Sequence, residues 1–128
     1  MSRAIHTDAA PPPASRYAQA IETPPGARLL HVSGQVGTRP DGTLAGDADA
    51  QHEQVWRNIL AILDAAGMEP TDIVELVGIV TDPSGVPLFR AWRERMLGDH
   101  LAASTLLICG LADPAWQVEI AVRAARAD

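Results

Sequence analysis

Gln117-Val118-Glu119-Ile120-Ala121-Val122-Arg123, near the end of the chain, alternates in polarity. Val118, Ile120 and Val122 alternate with Gln117, Glu119 and Arg123, the period of a strand with one apolar and one polar face. A single carboxylate, Glu119, stands mid-strand opposite the apolar side. Its face is expected to be solvated, or to line a site or a seam between subunits.

Outward from this strand, Asp113-Pro114 breaks an apolar run at Thr105–Leu111, expected to be a buried strand. Ile73–Val80 is rich in Val and Ile and nearly continuous in apolar character, which predicts a buried central strand. Between these two runs, Thr81-Asp82-Pro83-Ser84-Gly85 is a turn or a helix start, and the helix after it runs to about Leu97 and stops at Gly98. A longer helix begins after Gly46, its start favoured by Asp47 and Asp49 through capping and the helix dipole. Val55, Ile59, Ile62, Leu63 and Ala66 follow helical spacing, and Gly67 is a natural residue to end it. Upstream, Leu29-Leu30-His31-Val32 predicts a strand running into a Ser33-Gly34-Gln35 turn. Further strands are expected at about Tyr17–Glu22 and Arg3–His6, separated by the Pro11-Pro12-Pro13 linker.

The predicted order is three strands, helix, strand, helix, two strands. This is an α+β fold: a mixed sheet of about six strands in a single domain over residues 1–128. Two helices cannot cover both faces of such a sheet. They are expected on one face, and an oligomer is the economical way to bury the other.

Composition narrows the chemistry. The chain has 128 residues, a formal net charge of −6 and one cysteine, Cys109. One cysteine excludes an intrachain disulfide framework and suits a reducing compartment, so a cytoplasmic protein is expected. No apolar run is long enough to cross a bilayer. The acidic balance and scattered arginines lack the cationic footprint of a nucleic-acid binder. There is no lysine, which removes protein-amine Schiff-base chemistry and a standard P-loop. His6, His31, His52 and His100 have no partners at metal-ligand spacing, so no metal site is expected. Arg90, Arg93 and Arg95 are read first as a solvated helix face. Cys109 is read as inert core, and Trp56, Trp92 and Trp116 as core or interface.

Several pieces, in order, resemble the RidA family, also called YjgF or L-PSP. They are Tyr17-Ala18-Gln19-Ala20, Leu30-His31-Val32-Ser33-Gly34-Gln35, Leu63-Asp64-Ala65-Ala66-Gly67, Thr71-Asp72-Ile73-Val74, Thr81-Asp82, Ala102-Ala103-Ser104-Thr105 and Val118-Glu119-Ile120-Ala121. The resemblance implies a chorismate-mutase-like subunit and a homotrimer with small-molecule clefts between subunits. It also implies hydrolysis of 2-imino acids or their enamine tautomers without metal or organic cofactor. Carried over by position, it makes Glu119 and Tyr17 the catalytic candidates. Ser33, Gly34 and Thr105 become substrate-binding candidates. Glu119 could equally be an interface carboxylate paired with an arginine such as Arg123, and Tyr17 a packing residue.

One departure matters. Where the family carries an arginine that holds the substrate carboxylate, this chain has Ala103. Arg90, at a position where the deaminases tend to carry asparagine, is the candidate replacement from another helix. Two readings follow: a RidA-like imine or enamine hydrolase with an atypical substrate, or a trimer that binds or senses a small metabolite without converting it.

Overall fold

The computed structural model describes all residues, 1–128. Six strands and two α-helices follow the predicted order: β1 (Arg3–Ile5), β2 (Ala20–Glu22), β3 (Arg28–Val36), α1 (Ala48–Ala65), β4 (Ile73–Val80), α2 (Gly85–Leu97), β5 (Ala103–Ile108) and β6 (Val118–Arg126). A single 3-10 turn, Pro70–Asp72, leads into β4. The strands divide into a four-stranded sheet, β3-β6-β4-β5, and a β1-β2 ribbon. An isolated bridge between Ala18 and Ala103 ties the ribbon's approach to the edge of β5.

The topology explains why both helices lie on one face. β3 and β4 each run antiparallel to β6, and β4 runs parallel to β5. The β3–α1–β4 and β4–α2–β5 connections therefore both join parallel strands and step across the sheet in the same direction. Crossovers of one hand then place both helices on the same side. Between helices and sheet lies a core that includes Val55, Trp56, Ile59, Leu63, Leu76, Phe89, Trp92, Val118, Ile120 and Val122. The ring of Phe89 lies against Gly78 of β4, where a Cβ would collide with it.

The helix ends follow the local chemistry. Asp47 caps α1, its side chain accepting from Ala50 N–H at 2.9 Å. Asp49, in the first turn, instead accepts the indole N–H of Trp92 at 2.9 Å and links the two helices. Gly67 and Gly98 adopt left-handed φ values of 69° and 58° at the helix ends, where a side chain would be strained.

Four expectations are corrected. Ser33-Gly34-Gln35 is not a turn: β3 runs through it to Val36, with an extra residue against β6 between Val32 and Gln35, a β-bulge. β5 is an edge strand with Thr105, Leu107 and Ile108 exposed, because nothing pairs with its outer side beyond the bridge at Ala103. Cys109 is exposed, lying past the end of that strand. The arginines of α2 do not form one solvated face: Arg93 is only 3% exposed, while Arg90 and Arg95 are exposed.

Candidate functional site

The helix-free face of the sheet carries the polar side of the tail strand. Alternation along β6 turns Val118, Ile120, Val122 and Ala124 into the core and leaves Glu119, Ala121 and Arg123 on the other side. Neighbouring strands add Glu75, Val77 and Ile79 from β4, Thr105 and Leu107 from β5, and Leu29 from β3. Leu29 is 57% exposed and Leu107 48%. Arg123 pairs with Glu75 on the adjacent strand. Glu119 is therefore not the partner of Arg123. It has no hydrogen bond or ion pair within the chain.

Glu119 is half-buried because its carboxylate lies directly on Gly34. A Cβ at Gly34 would overlap the carboxylate. Gly34 has no left-handed φ, so its role is close approach and not backbone freedom. The bulge at Ser33-Gly34 lets β3 accommodate this side chain, a common use of bulges beside sites. The start of β6 is fixed from below. Gln51, buried on α1, accepts from Gln117 N–H at 2.9 Å and donates to the carbonyls of Ala115 and Gly46 at 3.2 Å. Gly37 lets β3's exit pack on Gln51, whose Cβ lies 2.7 Å from where a Gly37 Cβ would be.

A second group gathers at the β5 edge. Tyr17 is half-buried, and its hydroxyl accepts from Ala14 N–H at 3.2 Å. The guanidinium of Arg93 lies 5.9 Å from the centroid of the Tyr17 ring. Arg93 also donates to Ser104 Oγ at 3.2 Å and to Ser15 Oγ at 2.9 Å. Ala18 N–H donates to Ala102 O at 3.0 Å, anchoring this segment to β5. Ala103 sits between Ala102 and Ser104 with only a methyl group to offer.

The predicted residues thus fall into two clusters. Glu119, Gly34 and Ser33 come together over the β3–β6 seam. Tyr17 lies at the β5 edge against Arg93 of α2. Thr105 faces the same side as Glu119 but is separated from β6 by β4, about 10 Å of sheet. Arg90 stands apart, exposed and without a side-chain hydrogen bond or ion pair. The largest cavity, about 460 Å³, lies elsewhere, lined by Ser2, Glu69, Asp72, His100 and Arg126 among others. On the helix-free face, a depression of about 290 Å³ is lined by His31, Val77, Ala121 and Arg123.

Sequence reasoning missed Gln51 and Arg93. Both had a helical signal. Gln51 precedes Val55 by four residues, and Arg93 follows Phe89 by four, so each lies on its helix's apolar stripe. A polar residue on such a stripe is buried for a reason.

The comparisons with known proteins agree with this architecture. Residues 7–126 match the family described as Endoribonuclease L-PSP. The chain belongs to this family. Among L-PSP relatives, the 2-iminobutanoate/2-iminopropanoate deaminase of Salmonella typhimurium is 31% identical over 85% of this chain and 84% of its own length. A RutC family protein of Aquifex aeolicus is 37% identical, but that alignment spans 62% of each chain. A solved Rid-family protein of Yersinia pestis, YyfB, itself described as of unknown function, superposes with a TM-score of 0.86. It is 30% identical, with 98% of each chain covered. RidA of an Antarctic Psychrobacter superposes at 0.74 with 29% identity, covering 97% of this chain and 99% of its own. No helix is long and apolar enough to cross a membrane.

Proposed function

We propose that the chain is an imine or enamine hydrolase whose cleft forms between copies of the subunit, with Glu119 as its acid–base group. The observation that carries this reading is the Glu119 carboxylate. It is half-buried on Gly34, free of internal partners, and stands on a face with exposed Leu29 and Leu107. The deaminase activity named for the Salmonella relative fits such a group.

The chemistry needs little more. Water adds to the C=N carbon of R–C(=NH)–COO⁻ as Glu119 takes one of its protons and passes it to the nitrogen, giving a neutral carbinolamine. Glu119 then takes the hydroxyl proton and delivers it to the amine, so the C–N bond breaks as C=O forms, releasing ammonia and leaving the 2-oxo acid. Ser33 and the Gly34 backbone border the acid, Thr105 and Tyr17 supply the opposite wall, and no cofactor is required. Within one subunit Thr105 stands about 10 Å of sheet from the strand of Glu119 and Tyr17 lies at the outer edge of β5, so a complete site joins the Glu119 cluster of one copy to Thr105 and Tyr17 of another. A homotrimer closes this arrangement head to tail. Leu29 and Leu107, exposed in the single chain, become its interface.

The test generates 2-imino acids in situ with an amino-acid oxidase, lets semicarbazide compete for them, and follows 2-oxo acid release. Wild-type protein is expected to accelerate release, and Glu119→Gln to lose at least about 100-fold of that acceleration. No acceleration with any amino acid tried would refute the reading. Ala103 supports a second one. Without a guanidinium at that position, the cleft could hold a small metabolite and report on it without converting it. Tight binding with no turnover would identify that case. The net charge of −6 gives no support to RNA cleavage.

A further inference from the structure

A row of amides runs along one face of α1. Gln51, Gln54 and Asn58 stand at i, i+3 and i+7. Gln51 is buried, and Gln54 and Asn58 are half-buried. Amides taken out of water need partners, and these find most of theirs on the backbone around the sheet. Asn58 Nδ2 donates to Val36 O at 3.2 Å and to Thr38 O at 2.9 Å. Gln54 Nε2 donates to Asn58 Oδ1 at 2.8 Å, which fixes the end of the Asn58 amide that faces β3. Gln51 Oε1 accepts from Gln117 N–H, while Nε2 donates to Ala115 O and Gly46 O. Between Val36 and Thr38, the backbone of Gly37 lies directly on Gln51, with no room for a side chain. One helix therefore grips the exit of β3, residues 36–38, and the entry of β6, residues 115–117.

These two grips bracket the candidate acid. Val36 is the residue paired with Glu119 across the β3–β6 ladder, and Gln117 stands two residues before Glu119. The ladder is weak at this point. The bulge between Val32 and Gln35 interrupts the register where the Glu119 carboxylate lies over Gly34. Beyond the bulge only Gln35 and Val36 still pair with β6. A bulge re-aims the side chains beside it, and a two-residue ladder is a poor guard against slippage. β4 holds β6 from its other side, with Ile79 opposite Glu119. The exit of β3 has no second strand, and α1 takes that place.

We propose that Gln51 and Asn58 are positioning residues for Glu119. They fix the end of β3 against the start of β6 and so hold the carboxylate on Gly34. Neither touches a reacting atom. Their effect on rate rests on the hydrolase reading above; their hold on the carboxylate does not.

Gln51→Met and Asn58→Leu remove the hydrogen bonds with little change in side-chain size. Each is made in the wild-type and the Glu119→Gln backgrounds, melted, crystallised and assayed in the oxidase-coupled reaction. In the wild-type background kcat should fall roughly 10- to 100-fold while KM changes less than about twofold, as for a displaced group that acts only in the transition state. In the Glu119→Gln background the same substitutions should lower the residual rate less than about twofold, because no carboxylate is left to misplace. The loss of Tm should be the same in both backgrounds. Folded variants with unchanged kcat overturn the proposal. So does an equal fall in rate in both backgrounds, the mark of a merely structural role. If Gln51→Met does not fold, Asn58→Leu, at the half-buried position, decides. The crystal structures separate this inference from the hydrolase reading. A carboxylate still lying on Gly34 in both variants overturns the positioning role, whatever the wild-type activity. A displaced carboxylate in a protein whose wild type hydrolyses no imine keeps the positioning role and refutes the hydrolase reading.

Discussion

The two faces of the same sheet are built to different standards. On the helix-covered face, Val118, Ile120, Leu76, Phe89 and Trp56 are essentially inaccessible, and Phe89 fits against the bare backbone of Gly78. On the other face, Leu29 and Leu107 stand about half exposed, and Glu119 has no partner. One face completes itself within the chain. The other leaves apolar side chains and the candidate acid without partners in the chain. On the proposed function, stability belongs to the first face and activity to the second, and substitutions can separate them.

The largest effect is expected on the covered face. Phe89→Ala removes a fully buried ring and should cost about 3–5 kcal/mol, a fall in Tm of roughly 10 °C or more, measured by thermal or urea unfolding. A similar loss from Leu107→Glu would erase the distinction between the faces. Instead, Leu107→Glu should keep its far-UV circular dichroism but sediment as a lighter species and lose imine hydrolysis with the shared cleft.

Two glycines sharpen the comparison, because each is overlaid by one side chain. At Gly78 the obstacle is a packed ring, so Gly78→Ala should destabilise by about 1–3 kcal/mol. At Gly34 the obstacle is the swinging end of Glu119. Gly34→Ala should change stability by less than about 0.5 kcal/mol while displacing the carboxylate and lowering activity. Paired unfolding and activity measurements on both variants check this. Equal stability losses would contradict it.

The smallest effect is a pH dependence of the covered face. His52 is buried on α1, its Nδ1 donating to Ala48 O at 2.8 Å while Nε2 lacks a partner. Burial holds its pKa below the ordinary 6.5. The unfolded chain takes up the proton first, so stability should decline as pH falls below about 6.5, before the carboxylates titrate. Urea midpoints between about pH 7.5 and 5 measure the slope, and His52→Gln should flatten it. A slope that survives the substitution would assign it to another group.

Much of this was legible in the sequence. Alternation in Gln117–Arg123 placed Glu119 on the side away from the core, and Asp47, Gly67 and Gly98 marked helix ends where the structure has them. These are local signals, set by a period or a cap. What the sequence hid depends on nonlocal neighbours. Ser33-Gly34 reads as a turn because serine and glycine favour turns, and only pairing with β6 makes it a bulge. Thr105–Leu111 reads as a buried strand because it is apolar, but the strand that forms, Ala103–Ile108, lies at a sheet edge. Charge runs usually mark solvated faces, which groups Arg93 with Arg90 and Arg95, although its spacing from Phe89 puts it on the apolar stripe. The tail strand runs three residues beyond Arg123 because Ala124, Ala125 and Arg126 still pair with β3, although the small side chains of Ala124 and Ala125 carry no alternation in the sequence.

The helix-free face is proposed to be a seam between copies that share one site. Sedimentation equilibrium of the wild-type chain at micromolar concentration, with imine hydrolysis assayed on the same sample, decides it. One species of about three times the 13.6 kDa chain mass, active through Glu119, is expected. A 13.6 kDa species with full Glu119-dependent activity would overturn the shared site.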